Sequence, residues 1–320
     1  MFRPILAAAA ALFAITTLAA EPYPSRPVKI IVPFAAGGPA DVYARVLADR
    51  LEKSMGQPFV VEDKPGGGSL VGTEVVQSSA PDGYTLLMMS NTHTVNETLI
   101  PKKPFQLMRD FVPISPVNYS DLIMVINPSV PAKNLEEFIA LAKSKPGVLN
   151  YASSGPGTPY HMAGELFKAM AGVNIVHIPY KGSSGARTAV LGGQVQMMFD
   201  AITTMAQNVR AGKVVALGTS GKVRSRVLPE VPTISEAGVP GYESVIWLGV
   251  MAPKGTPAPI VDRLNAEIRK VVNSPDIEAS WAKQGATGMS MTPAEFDEFL
   301  RGDIRKWAKI VKISGARQDR

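Results

Sequence analysis

"VKIIVPFAAGGPADVYARVLADRLEK", Val28 to Lys53, changes its apolar period partway along. Val28, Ile30, Ile31 and Val32 make a strand, and Ala40, Tyr43, Ala44, Leu47, Leu51 and Met55 then recur at helical spacing. The turn between them has no basic side chain, and Asp41 is the only charged residue close by. A strand, a glycine turn and a helix start together present unpaired backbone N–H groups and the positive end of the macrodipole, a natural seat for a carboxylate or phosphate. Gly37 and Gly38 permit close approach because no Cβ intervenes. Alone, such a turn is equally explained by tight geometry. A second one changes the balance: "SSGPGTPYH", Ser153 to His161, adds the hydroxyls of Ser153, Ser154 and Thr158 and opens a helix at Pro159. Two anion-seeking helix starts, far apart in the chain, predict a jaw that closes on an acid.

The same unit recurs on either side. "FVVEDK" leads to "PGGGS" and a helix from about residue 70, "YTLLMMS" to "NTHTVNETL", "VNIVHIPY" to "KGSSG", and "QVQMMFDA" and "KVVALGTSG" are further strands. "VPISPV" and "DLIMVINP" are expected as two separate strands. Strands alternating with helices through short glycine loops predict an α/β fold with largely parallel sheets, and a ligand site beyond the C-terminal strand ends. From Trp247 the pattern changes to one last strand, "WLGVMAP", and three helices expected to pack back onto earlier strands. Asn134 with Glu137, and Thr292 with Pro293 and Glu295, are helix-start signatures.

Other chemistry-bearing residues have competing explanations. His161 and Glu165 are one helical turn apart, but the chain has only 3 histidines and no third ligand at suggestive spacing, so no metal site is expected. His93 either faces the cleft or caps the helix after it, and His177 is expected as a satisfied strand residue. Asp200 ends a strand, where it either receives a ligand ammonium or hydroxyl or caps the next helix. Glu62 and Asp63 are expected at the surface, and the pairs Met88-Met89 and Met197-Met198 in the core. No nucleophile elbow, phosphate loop or dinucleotide fingerprint is present, so neither an enzyme nor a cofactor is expected.

Composition sets the frame. Of 320 residues, 46% are apolar and 19% charged, ordinary for a globular chain of roughly two domains. "MFRPILAAAAALFAITTLAAEPYPSRP" joins Arg3 to an apolar run ending near Ala20 and a proline-rich exit. That predicts a signal peptide over 1–20, cleaved near residue 19 or 20, and a periplasmic location. The absence of cysteine excludes disulfides, thiolate metal sites and Cys nucleophiles. A net charge of +6 without an aromatic-interleaved basic stripe speaks against nucleic-acid binding.

Along most of its length the chain resembles a known family. "YPSRPVKIIVPFAAGGPADVYARVLADRL", "PDGYTLL", "THTVNETL", "SSGPGTPYHMAGELF", "IPYKG", "LGGQVQMMFDA", "RSRVLPEVPTISEAGVPGYE" and "WLGVMAPKGTP" resemble, in order and spacing, the periplasmic receptors of tripartite tricarboxylate transporters, the Bug (Bordetella uptake gene) proteins. The resemblance implies a type II periplasmic binding-protein fold, two α/β lobes around a ligand cleft joined by two crossing strands. It implies capture of a small organic acid (a di- or tricarboxylate, amino acid or aromatic acid), without catalysis, by a monomer that delivers it to integral membrane permease subunits. Lobe one is expected at 22–123 plus 247–320 and lobe two at 124–246. Phe34, Ala35, Ala36, Gly37 and Gly38 match the family's first ligand loop. Ser153, Ser154, Gly155, Gly157, Thr158 and His161 match the second, and Asn91, Thr92, Tyr180, Lys181 and Asp200 match positions lining the rest of the cleft. The chain departs from the pattern at Gln196 and at "GARTAVLGG", expected as lobe-surface positions. Rival readings are a receptor that presents its acid to a membrane sensor kinase, and a secreted hydrolase.

Overall fold

The computed structural model describes residues 23–314 and 316, so the predicted signal peptide lies outside the described residues. β1 (Val28–Val32) leads through the glycine turn into α1 (Pro39–Met55), β2 (Phe59–Asp63) through a 3-10 turn (Gly67–Ser69) into α2 (Leu70–Gln77), and β3 (Thr85–Ser90) directly into α3 (Asn91–Leu99). After the short α4 (Leu107–Asp110) come β4 (Phe111–Ile126), α5 (Leu135–Ser144), β5 (Asn150–Ser153), α6 (Pro159–Ala171), β6 (Val176–Pro179) and α7 (Ser183–Leu191). Then follow β7 (Met197–Ala201), α8 (Ile202–Arg210), β8 (Val215–Thr219), β9 (Val245–Pro253), α9 (Ala258–Val272), α10 (Pro275–Gln284), β10 (Ala286–Gly288) and α11 (Pro293–Ser314).

A sheet of 10 strands runs in the order β2-β1-β3-β9-β4-β7-β5-β6, with β8 and β10 also paired to β4. β1 is parallel to β2 and β3, and β5 is parallel to β6 and β7, as the intervening helices require. β4 is common to both halves of the sheet: it pairs antiparallel with β9 from Phe111 to Asp121, then with β7 from Leu122 onward. The two strands expected over "VPISPV" and "DLIMVINP" are therefore one strand of 16 residues. Pro113 and Pro116 lack the N–H that a ladder needs, and the register with β9 shifts beside each of them while the strand continues.

Side chains alternate between the two faces of this sheet, and helices cover both. Ile30, Leu86 and Met88 pack with Tyr43 and Leu47 of α1 and with Leu264 and Ile268 of α9. Ile31, Leu87 and Met89 point the other way, onto Val76 of α2 and Phe296 and Leu300 of α11. In the other half, Met124, Met197 and Phe199 pack on Phe138 and Phe167, while Val125 and Met198 pack on Ala189 and Met205. The methionine pairs thus straddle the sheet as core residues. Both predicted helix starts form: Asn134 Oδ1 accepts the Glu137 N–H at 2.8 Å, and Glu295 returns to the Thr292 N–H at 2.8 Å.

Candidate functional site

The two glycine turns share one device. Gly37 has φ +73°, and its N–H donates to Asp41 Oδ2, four residues on, at 2.8 Å. Gly157 also has φ +73°, and its N–H donates to His161 Nδ1, again four residues on, at 3.1 Å. In each turn the next residue, Gly38 or Thr158, is the helix N-cap and a proline follows at the first helical position. These amides are therefore taken, contrary to the expectation of bare turns. Gly155 N–H likewise donates to Ser153 Oγ at 3.1 Å, and Thr158 Oγ1 donates to Gly155 O at 2.7 Å. The conformation is held internally, leaving other groups for a guest.

Between the turns lies a cavity of about 300 Å³, walled by the loops that follow β1, β2, β5 and β6 and by Ser90 at the end of β3, with Ile246 and Leu248 of β9 behind them. This is the placement expected of a parallel sheet, where loops gather at the C-terminal strand ends. The starts of α1 (Gly38, Pro39), α6 (Thr158, Tyr160) and α7 (Gly182, Ser183) meet there, joined by Ser69 before α2 and Ser90 before α3. Each helix start carries roughly half an elementary positive charge. Lys181 is the one charged side chain in the lining. The Ser154 hydroxyl is buried with no partner among the described residues, and the buried Tyr160 hydroxyl has the Ser183 side chain beside it. Burial also pushes the Tyr160 phenol well above its ordinary range, so it is a protonated donor.

Of the residues singled out from the sequence, Phe34, Ala35, Gly38, Ser154, Gly155, Thr158, Tyr180 and Lys181 line this cavity, whereas Ala36, Gly37, Asn91, Thr92, Ser153, Gly157, His161 and Asp200 do not. Ala36 and Gly37 form the exposed tip of their turn. Asn91 Nδ2 donates to Val245 O at 3.0 Å, and the Thr92 N–H donates to Ser90 Oγ at 3.2 Å. Ser153 lies beneath its loop, 2.6 Å from His177 Nε2, and the His177 ring stacks on His161 at 4.1 Å. Burial lowers the His161 pKa to about 4, so the neutral ring keeps Nδ1 free to accept from Gly157. Of the two roles open to His93, the structure has the cap: Nδ1 accepts the Ser90 N–H at 3.2 Å, and Nε2 meets Thr73 Oγ1 at 3.0 Å. Glu165 Oε1 accepts from Tyr151 Oη and Lys168 Nζ, each at 2.7 Å.

Asp200 stands outside the cavity lining, just before the start of α8. It is fully buried and bonded to Arg187 Nε at 2.6 Å, while its Oδ1 accepts the Ala201 N–H at 2.9 Å. Burial raises its pKa, against the pull of the Arg187 guanidinium. Arg187 belongs to "GARTAVLGG", expected at the surface, yet its side chain is only 15% exposed. Not singled out from the sequence were Pro65 to Ser69, Ser90, Ser183, Ile246 and Leu248, all in the lining, while Tyr160 lay within the second turn without being named. "PGGGS" and "KGSSG" carried the same strand-turn-helix signal as the two turns that were chosen. Ile246 and Leu248 carried none, because nothing local marks a strand residue that faces a cavity.

Known proteins place this geometry. The sequence model of the tripartite tricarboxylate transporter family receptor, TctC, matches residues 43–316. BugT of Bordetella pertussis (strain Tohama I) is 38% identical over 302 residues, spanning 94% of this chain and 93% of BugT. The solved structure of the periplasmic binding protein BugD superposes with a TM-score of 0.88 at 33% identity, covering 93% of this chain and 100% of that one. R. palustris Rpa4515, solved with adipate, superposes with a TM-score of 0.89 at 31% identity, covering 92% of this chain and 99% of that one. With its α/β periplasmic binding-protein fold and a helix-start cavity between the halves of its sheet, the chain belongs to the tripartite tricarboxylate transporter receptor family.

Proposed function

We propose that this protein is an exported periplasmic receptor that captures a small organic carboxylate in the cavity and delivers it, as a monomer, to the membrane permease of a tripartite tricarboxylate-type transporter. The observation that carries the reading is the convergence of the starts of α1, α6 and α7 on a cavity whose buried Ser154 hydroxyl has no partner within the described chain. Such a lining offers hydrogen-bond donors and helix starts to a guest and favours an anion. The adipate held by Rpa4515 supports a carboxylate as that anion. We place the division between lobes where β4 changes partners, between Asp121 and Leu122, and where the chain enters β9 at Val245. The ligand then meets Phe34, Ala35, Ser154, Thr158, Tyr180 and Lys181 directly. Gly37, Ser153, Gly157 and His161 act through loop shape. Binding without chemistry fits a lining that pairs one lysine with hydroxyls and holds no carboxylate to serve as base.

A thermal-shift and calorimetry screen of mono-, di- and tricarboxylates on the mature chain tests this. A ligand at about 100 times its Kd stabilises the fold by about 2.7 kcal/mol, a readily measured rise in Tm. The reading fails if no carboxylate binds, or if acyl or phosphoryl esters are turned over instead. Mass spectrometry of the exported protein is expected to show a chain that begins near Glu21.

A further inference from the structure

Ser154, Gly155, Pro156 and Thr158 bring the second turn to the cavity wall, so the place of the Ser154 hydroxyl depends on what fixes the backbone around it. Two side chains beneath the turn do so. Ser153 Oγ accepts the Gly155 N–H at 3.1 Å, and His161 Nδ1 accepts the Gly157 N–H, also at 3.1 Å. One residue from outside the turn touches both. His177, half-buried on β6, places Nε2 2.6 Å from Ser153 Oγ and lays its ring against His161, with centroids 4.1 Å apart and planes at 24°. It also stacks at 4.9 Å on Tyr151, its partner across the β5–β6 ladder. Packed against two rings, the imidazole has little freedom to turn Nε2 away from Ser153. A serine hydroxyl has one hydrogen and two lone pairs. Gly155 O, the other acceptor near that hydrogen at 3.2 Å, is already served by Thr158 Oγ1 at 2.7 Å and by the Thr158 N–H at 3.3 Å. Whichever atom donates in the contact with His177, it leaves Ser153 Oγ a lone pair for the Gly155 N–H.

We propose that His177, which does not itself line the cavity, is a positioning residue for ligand capture: through Ser153 Oγ it holds the Gly155 amide in its turn geometry and so keeps the Ser154 hydroxyl presented to the cavity. The effect on the turn follows from this geometry alone, and the effect on binding rests on the carboxylate reading above.

The test compares Ser153→Ala with two changes at His177: His177→Phe keeps a stacking ring and loses Nε2, and the amide of His177→Gln reaches the place of Nε2. Hydrogen–deuterium exchange of the ligand-free mature chain, read by mass spectrometry, reports the amides of residues 154–158, with β1 and β3 as the reference for global opening. His177→Phe and Ser153→Ala are each expected to speed exchange in the turn on the order of 10-fold, the scale of one lost hydrogen bond, and to leave the reference strands unchanged. The double variant should be no faster than the faster single, because both changes remove the same contact, and His177→Gln should stay close to wild type. Exchange in the turn that is unchanged in His177→Phe, that multiplies in the double variant, or that is as fast in His177→Gln overturns the proposal. Equal acceleration of turn and reference strands overturns it too, by making His177 a residue of general stability. Calorimetry with adipate, succinate and citrate then reads capture: a probe that binds wild type should bind His177→Phe on the order of 10-fold more weakly and His177→Gln nearly as well as wild type. Equal binding to all three proteins overturns the role in capture. If neither these probes nor the wider carboxylate screen bind the wild-type chain, the carboxylate reading and the capture role fall together, while the exchange result still decides whether His177 holds the turn.

Discussion

At the residue scale, His161 and the glycines that bracket it illustrate how a binding loop is held by groups that do not line the cavity. The Gly157 N–H requires an unprotonated Nδ1, and burial provides it by lowering the His161 pKa to about 4. His161→Leu strands a buried donor and is expected to cost about 1–3 kcal/mol of stability. In His161→Asn, Oδ1 stands close to where Nδ1 was, and most of that loss should be recovered; urea unfolding of both variants checks it. The pH dependence follows the same group. His161 and His93 are both lowered from 6.5 to about 4 in the folded chain, so between these values the unfolded chain binds the protons and the folded chain does not. Their contribution to stability is thus complete above pH 6.5 and lost as the pH falls toward 4, and His161→Asn should flatten that part of the profile while His93 retains its share. The two positive-φ glycines are not equivalent. A Cβ at Gly37 would meet nothing within 4 Å, whereas one at Gly157 would lie 2.5 Å from Asn96 Oδ1 and 2.9 Å from Leu99 Cδ2. Gly37→Ala is therefore expected to cost about 1–2 kcal/mol from φ alone. Gly157→Ala adds a collision with α3 and should weaken the ligand identified in the screen far more, as calorimetry on both variants would register.

The element whose role exceeds its sequence signal is α11. It begins with the Thr292–Glu295 box and runs for 22 residues. Trp307 and Val311 pack with Val95 and Leu99 of α3 and Met162 of α6, two helices whose starts reach the cavity from opposite halves of the sheet. Asp303, buried and with its pKa raised by that burial, accepts from Thr94 Oγ1 at 2.6 Å and Trp247 Nε1 at 3.2 Å. The C-terminal helix thus fastens α3 and β9 while touching α6. Trp307→Ala is expected to cost about 3–5 kcal/mol, the range for emptying a buried aromatic site. Trp307→Phe should cost less, because a ring still fills the site and only the indole N–H beside the Asp303 carboxylate is lost. Denaturant midpoints of the two variants distinguish a packing role from a polar one.

For the whole molecule, glycines set how closely the two halves approach. A Cβ on Gly182 would lie 2.3 Å from Ala35 Cβ, one on Gly68 would lie 2.9 Å from Pro156 O, and one on Gly38 would lie 3.2 Å from Ser183 Oγ. Each contact joins a loop of the β1–β3 half to one of the β5–β6 half. Gly38 is the mildest probe, since its φ of −82° suits any residue and its Cβ would lie 3.2 Å both from Ser183 Oγ and from Ala35 O of its own turn. Gly38→Ala and, more strongly, Gly38→Val are expected to weaken the ligand by overpacking of about 1–3 kcal/mol. The unfolding midpoint of the ligand-free chain should move little. Equal losses in affinity and in ligand-free stability would instead make Gly38 part of the resting core.

The sequence by itself determined the units. The β1–α1 and β5–α6 turns, the Asn134 and Thr292 caps and the buried methionine pairs all follow from spacings of two to four residues, over which backbone geometry acts directly. That local grammar was enough for the α/β class, for the end of the sheet where the loops gather, and for half of the chosen site residues as lining. It could not decide what each residue faces. That β4 is one strand shared by both halves, that β10 exists, and that Ile246 and Leu248 close the cavity depend on which strands become neighbours. Asp200 shows the reason most sharply. Its position at a strand end suits a ligand contact, and only the placement of α7 against β7 brings the Arg187 guanidinium to it. Burial and pairing are sums over the whole packed chain, and no short window of sequence contains them.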